Sequence, residues 1–260
     1  MSAPLLDFRH VTVVRGDRPV LDDVTLRIAS HERVAILGPN GSGKSTLIRA
    51  MMRECYPLRG EGTSFTMFGE EDWNVFDLRR RLGIVTPDPL EHAGEWLTGF
   101  ELACSAFFSS TGVWNQRDRI TGTMRHQTSA ALARLQALHL ADRPVRAMSS
   151  GELRRIQIAR ALVHQPEALL LDEPSANLDL QAQQELREIL RAVTRDGTGL
   201  ILVTHHLGDI IPEVERVVLL RQGRIVADGP KAALLDEERL AALFGTTVHL
   251  SRQDGYYHAW

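Results

Sequence analysis

The sequence predicts an α/β fold, a mainly parallel sheet covered by helices and interrupted by a helical lobe. Short apolar runs of strand length recur along the chain, stretches with helical periodicity separate them, and residues 91–165 lose the strand-like runs almost entirely. Short, wholly apolar strands are what a parallel sheet buried on both faces displays. At 260 residues the chain is long enough for one such domain with an inserted lobe.

Leu5–Val14 alternates imperfectly and reads as a strand that ends at the turn Arg15-Gly16-Asp17, whereas Val24–Ile28 alternates cleanly. Arg33–Leu37 is an apolar run that stops at Gly38, where a glycine-rich loop begins. Beyond the loop, Leu47, Ile48, Met51 and Met52 share one helical face, and that helix ends before Pro57. Further strands are expected at Gly83–Val85, Ala168–Leu171, Leu200–Val203, Val217–Leu220 and Arg224–Ala227. Between Leu171 and Leu200, Leu186, Ile189, Leu190 and Val193 recur at i, i+3, i+4 and i+7, and Gly197 reads as the C-cap of that helix. Val248–Trp260 reads as a hairpin around Asp254-Gly255, with Tyr256, Tyr257 and Trp260 as packing groups.

Bulk properties narrow the function classes. Hydrophobic residues at 43% and charged residues at 24% are ordinary for a packed globular chain. A net charge of -3 argues against coating nucleic acid or anionic lipid by electrostatics alone. No secretory pattern opens the sequence, and no apolar run approaches the ~20 residues that span a bilayer. Cys55 and Cys104 have no second thiol at metal-ligand spacing and read as idle thiols of a reducing compartment.

Three motifs carry chemistry. Gly38-Pro39-Asn40-Gly41-Ser42-Gly43-Lys44-Ser45 fits G-x-x-x-x-G-K-[ST] between an expected strand and an expected helix. Such a loop turns successive backbone N–H groups inward on phosphate oxygens, and the helix N-terminus adds partial positive charge. Lys44 is expected to reach the β and γ phosphates, Ser45 to sit on Mg²⁺, and Thr46 to close the phosphate-binding segment. Asp172-Glu173 follows the apolar strand Ala168–Leu171, at the strand end where open α/β sheets bind ligands. Asp172 suits the Mg²⁺ shell, and Glu173, on the opposite side of the strand end, suits polarisation of an attacking water. Ser149-Ser150-Gly151-Glu152 opens an amphipathic helix carrying Leu153, Ile156, Ala159 and Leu162. It reads either as an S-x-x-E capping box or as a second anion site, with Gly151 leaving the backbone open.

Met148-Ser149-Ser150-Gly151-Glu152 resembles the L-S-G-G-Q signature of ABC ATPases, and it lies upstream of Asp172-Glu173 as in that family. Asn177-Leu178-Asp179 resembles the family's D-loop, and His205 resembles its switch histidine. The ordered motifs run from Gly38 to His205. The resemblance implies a P-loop NTPase fold of ABC type: a RecA-like core with an N-terminal antiparallel β part over 1–85 and 166–245, a helical lobe over 86–165, and a hairpin extension over 246–260. It implies ATP and Mg²⁺ as ligands and a head-to-tail homodimer with two ATP molecules sandwiched between copies. Lys44 of one copy and Ser149 of the other then bind one γ phosphate, with Gly151 and Asp179 beside them, and His205 holds the attacking water and Glu173 in line. His206 has no motif support.

Two departures from the family stand out. Where relatives stack an aromatic residue on adenine this chain has Arg15, whose guanidinium also stacks on a base face. Where the Q-loop glutamine is expected the residues are Thr86-Pro87-Asp88; Pro87 has no side-chain donor or acceptor, and Asp88 is the candidate replacement for the metal contact. Leu102–Trp114 and Ser149–Leu180 are also similar to a subgroup described as molybdate-transport or photorepair ATPases. The expected function is the cytoplasmic ATPase subunit of a transporter, on the inner face of the membrane and paired with separate spanning subunits, for a metal oxyanion or metal chelate. The alternatives are a soluble ABC ATPase acting on nucleic acid or ribosomes, disfavoured by the absence of long heptads and zinc modules, and a slow nucleotide switch caused by Pro87.

Overall fold

A computed structural model describes residues 3–87, 96–110, 112–113 and 116–260. Its elements in chain order are β1 (Leu6–Arg15), β2 (Arg18–Ile28), β3 (Arg33–Leu37), α1 (Lys44–Met51), β4 (Ser64–Met67), α2 (Val75–Arg81), β5 (Leu82–Val85), α3 (Gly99–Cys104), α4 (Gly122–Arg134) and α5 (Ser150–Leu162). There follow β6 (Ala168–Asp172), α6 (Leu180–Arg195), β7 (Gly199–Thr204), β8 (Arg216–Arg221), β9 (Arg224–Pro230), α7 (Lys231–Leu234), α8 (Glu237–Phe244), β10 (Leu250–Gln253) and β11 (Tyr256–Ala259). The chain forms two compact units, Met1–Val75 with Gly199–Trp260, and Phe76–Thr198.

In the first unit, β3 runs parallel to β7 and to β8, while β9 returns antiparallel to β8. Val34–Leu37 and the whole of β7 are buried, which is why both read as continuous apolar runs rather than alternating ones. β1 pairs antiparallel with β2 on one side and with β4 on the other. The four residues of β4 are too short a run to stand out from the sequence; only the pairing Leu6↔Met67 through Arg9↔Ser64 makes them a strand. β10 and β11 form the expected hairpin, turning through Asp254 and Gly255. Trp260 departs from its expected packing role at 71% exposure, while Tyr257 is buried. Trp260 follows the end of β11, with its ring 6.1 Å from that of His249.

In the second unit, β5 and β6 pair in parallel from Leu82↔Ala168 to Val85↔Leu171, so this unit joins that pair and α6 to the helical segment. The periodicity in α6 is realised, with Leu186, Ile189, Leu190 and Val193 all buried. Each such side chain contributes roughly 1.5–3 kcal/mol of burial. Asp196 is the C-cap of this helix, and Gly197 follows it in a left-handed conformation. Leu97, Cys104 and Val113 form a small core with Phe100, Phe107, Phe108, Ile120, Met124 and Val145 around it. Cys104, Phe107, Phe108 and Val113 of the stretch Leu102–Trp114 are therefore packing groups; Thr111 and Trp114 lie outside the described residues. Cys55 and Cys104 are both free, and burial pushes both thiols up from their ordinary pKa, as suits unreactive groups.

Candidate active site

The first unit holds the glycine loop between buried β3 and α1. Gly43 is the N-cap of α1 with φ 108, a left-handed conformation suited to glycine, and no side chain caps the helix. The first turn carries no acidic residue, so N–H groups and the positive end of the dipole face an anion without a competing carboxylate. Lys44 is buried, and its Nζ donates to the carbonyls of Gly38 (2.7 Å) and Pro39 (3.1 Å), which folds the ammonium back over its own loop. The Ser42 backbone accepts from Gly223 N (2.8 Å), while its Oγ is buried with no hydrogen-bond partner. A buried orphan hydroxyl inside a loop of this kind fits a phosphate oxygen. Pro39 and Asn40 lie at the loop's outer edge, Gly41 and Ser45 are exposed, and Thr46 is buried in the first turn.

His205 follows β7 in the same unit, half-buried. Thr204 Oγ1 accepts from His206 N (3.0 Å) and donates to Asp209 Oδ2 (2.7 Å), a buried link that sets the path of the chain through the histidines. The rings of His205 and His206 lie 3.8 Å apart, so His206, without a motif role in the sequence, packs directly on its neighbour. The Thr204–Asp209 bond is not legible in the sequence, because it depends on the 3₁₀ turn Leu207–Asp209. Arg15 is exposed at the end of β1, next to the Gly16-Asp17 turn.

The second unit holds the carboxylates and the signature. β6 is wholly buried and delivers Asp172, 7% exposed, at its C-terminal end. Glu173 is half-buried with φ 45, a left-handed conformation that costs a non-glycine residue energy and recurs at functional sites. Thr86 and Pro87 directly follow β5, whereas Asp88 lies outside the described residues.

Ser149 and Glu152 do form the capping box: Ser149 Oγ accepts from Glu152 N (3.2 Å), and Glu152 Oε2 accepts from Ser149 N (2.8 Å). Those backbone bonds, with Arg143 donating to Oε1 at 2.7 Å, hold the Glu152 carboxyl below its usual pKa. The two readings of this segment are compatible, since an accepting Ser149 hydroxyl keeps its own proton to donate, and Ser149 is exposed. Ser150 Oγ donates to Asn177 O (3.2 Å), and Asp179 caps α6 through Oδ1 and Ala182 N (2.8 Å). The signature start and the D-loop segment are thus stitched together within one unit.

Gly151 does not leave the backbone open. A Cβ there would lie 2.8 Å from Ala182 Cβ, so the glycine lets α5 approach α6. Gly151→Ala is expected to lower stability by about 1–3 kcal/mol through overpacking, more than the gain in helix propensity of roughly 1 kcal/mol. Thermal melts check this, with Gly151→Ala/Ala182→Gly expected to recover most of the loss. Sequence reasoning also missed Arg154, 9% exposed within α5, with Nη1 unpartnered. Burial pushes its guanidinium pKa down, and the Asp172 carboxylate partly offsets that.

A buried parallel strand, a glycine loop and an uncapped helix with a buried lysine define a P-loop nucleotide-binding protein. A family model described as ABC transporter matches residues 21–176. The chain is similar to the hemin import ATP-binding protein HmuV of Rhodococcus jostii, 32% identical over 248 residues, covering 92% of this chain and 80% of that one. It is similar also to the cobalt import ATP-binding protein CbiO of Rhodobacter capsulatus, 34% identical over 231 residues, covering 88% and 80%. Among solved structures it resembles cbiO1 of Clostridium perfringens, part of the complex cbiONQ, with TM-score 0.74 and 26% identity over 92% of this chain and 94% of that one. The chain belongs to the ABC transporter family, as an ATP-binding cassette with ATPase activity. The molybdate and photorepair subgroup is not supported: these relatives are named for hemin and cobalt import.

Proposed function

We propose that this protein is the energy-supplying subunit of an importer for a metal ion or metal chelate, working as an ATP-sandwich homodimer on the cytoplasmic face of a membrane. The observation that carries the nucleotide half is the uncapped start of α1, with Lys44 folded over the loop and the Ser42 hydroxyl orphaned. The cargo half is supported by relatives named for hemin and cobalt import. Among the described residues no helix is long and apolar enough to cross a membrane, so the reading assigns the spans to partner subunits.

In this reading the loop Gly38–Ser45, with Thr46, binds the phosphates and Arg15 lies against the base. Ser45 and Asp172 are hard oxygen donors that suit Mg²⁺, which needs only one or two protein oxygens beside phosphate and water. When bound, the ion neutralises charge on the phosphates. Glu173 takes the proton of the attacking water, and His205 holds that water in line. Ser149 and Asp179 of the second copy complete the grip on the γ phosphate. Phosphate release from the purified protein tests the chemistry: hydrolysis is expected with Mg²⁺ and is expected to fall to background with excess EDTA. Unchanged turnover in EDTA would remove the metal from the scheme. Uptake of radiolabelled cobalt and of hemin by cells with and without the gene tests the cargo.

A further inference from the structure

Arg154 is a cation only 9% exposed, and its buried Nη1 has no acceptor among the described residues. A guanidinium taken out of water in this way is costly unless an opposite charge lies close. The placement of α5 shows which charge that is. A Cβ on Gly83 would meet Ala161 O and Leu169 Cδ2, each at 2.6 Å, so α5 crosses directly over the β5–β6 pair. Only residues 163–167 separate the end of α5 from the start of β6, so the helix runs opposite to the strands. From Ala161 back to Arg154 the helix climbs about 10 Å, and the three strand residues beyond Gly83 climb the same distance. Arg154 therefore stands level with Thr86. Val85 pairs with Leu171, so Asp172, the next residue of β6, is level with it too. Asp172 is 7% exposed, and its carboxylate supports the Arg154 guanidinium against the loss of water.

A divalent ion on Asp172 and the Arg154 guanidinium are two cations drawn to one carboxylate, so each weakens the hold of the other. We propose that Arg154 is a positioning residue that acts through Asp172: it balances this carboxylate until Mg²⁺ arrives with a nucleotide, and makes Asp172 a poor site for the free ion. Nucleotide phosphates carry enough negative charge to bring the ion in against the guanidinium, whereas the bare ion has no such help. The inference rests on the reading of Asp172 as a Mg²⁺ ligand and adds what decides when the ion binds.

The test uses the full chain and Mn²⁺, a paramagnetic stand-in for Mg²⁺, titrated with and without ADP and followed by electron paramagnetic resonance. The wild type is expected to bind Mn²⁺ far more tightly with ADP than without. Arg154→Gln is expected to tighten binding of free Mn²⁺ roughly tenfold, and Arg154→Lys, which keeps the charge, to bind as the wild type does. In an Asp172→Asn background the glutamine is expected to change nothing in the titration. Metal-free thermal melts give a second readout with a change of sign. Arg154→Gln is expected to lower Tm by roughly 2–4 °C beside Asp172 and to raise it beside Asp172→Asn, where it removes a buried charge that has lost its partner. Free Mn²⁺ affinity unmoved by Arg154→Gln, tightening that persists without Asp172, or melts that fall equally in both backgrounds overturns the proposal. A glutamine variant that folds only beside Asp172→Asn supports it, and one that folds in neither background overturns it. If Asp172→Asn alone binds Mn²⁺ with ADP as the wild type does, the metal reading of Asp172 falls and this proposal with it. If Asp172→Asn loses the ion while Arg154→Gln changes nothing, the proposal falls alone.

Discussion

Replacing Glu173 by Gln is expected to lower ATP turnover roughly 10²–10⁴-fold, the size of a general-base contribution, while nucleotide affinity stays within a few-fold of wild type. The substitution keeps the shape of the side chain and removes its basicity. Glu173 sits just past the buried strand β6 in a left-handed backbone conformation that fixes where its side chain leaves the chain. With hydrolysis blocked and binding intact, ATP is expected to accumulate a dimer that the wild type forms only transiently. Phosphate release and light scattering, each with and without Mg-ATP, read the two effects separately. A Glu173→Gln protein that turns over like wild type would take the proton-accepting role away from this residue.

Lys44→Ala is expected to act on the other quantity, weakening ATP binding by roughly 10–100-fold. Hydrogen bonds to charged groups contribute about 1.5–3 kcal/mol each, and about 1.4 kcal/mol is a factor of ten in affinity. The lysine is buried and held by the carbonyls of Gly38 and Pro39, so its ammonium has little conformational freedom left to lose when phosphate arrives. Titration with a fluorescent ATP analogue gives the dissociation constant, and thermal melts without nucleotide show whether the loop itself has loosened. Equal affinity in wild type and variant would contradict the assignment.

Most of the fold was legible because its strands and helices follow patterns set by burial. Val34–Leu37 and Leu200–Val203 read as apolar runs since they are buried throughout, and α6 announced itself through Leu186, Ile189, Leu190 and Val193. β4 and α2 were not legible. The first is a strand only by pairing with β1, and the second, Val75–Arg81, buries Leu78 alone and so carries no periodic signal. At the site, local motifs were readable because loop, capping box and strand-end carboxylates are each contiguous in sequence. What depends on contact between distant residues was not. Gly151 was read as an opening for a ligand, although Ala182 on the neighbouring helix already requires a glycine there. Arg154 drew no notice beside Arg155, yet one is buried near Asp172 and the other pairs with Glu185. Trp260 is expected to pack in the interior, yet it stands exposed past the end of β11, beside the ring of His249.

In the proposed dimer each nucleotide is held by Lys44 of one protomer and Ser149 of its partner. Mixing Lys44→Ala with Ser149→Ala, at an ATP concentration too low to fill either weakened site, tests this arrangement. In a two-fold dimer half of the mixed assemblies pair one variant with the other, and each of those contains one intact composite site. The mixture is expected to recover hydrolysis to roughly a quarter of the wild-type rate, although neither variant alone exceeds background. A mixture as inactive as its components would mean that Lys44 and Ser149 act within the same chain, or not on the same nucleotide, and would rule out the shared site.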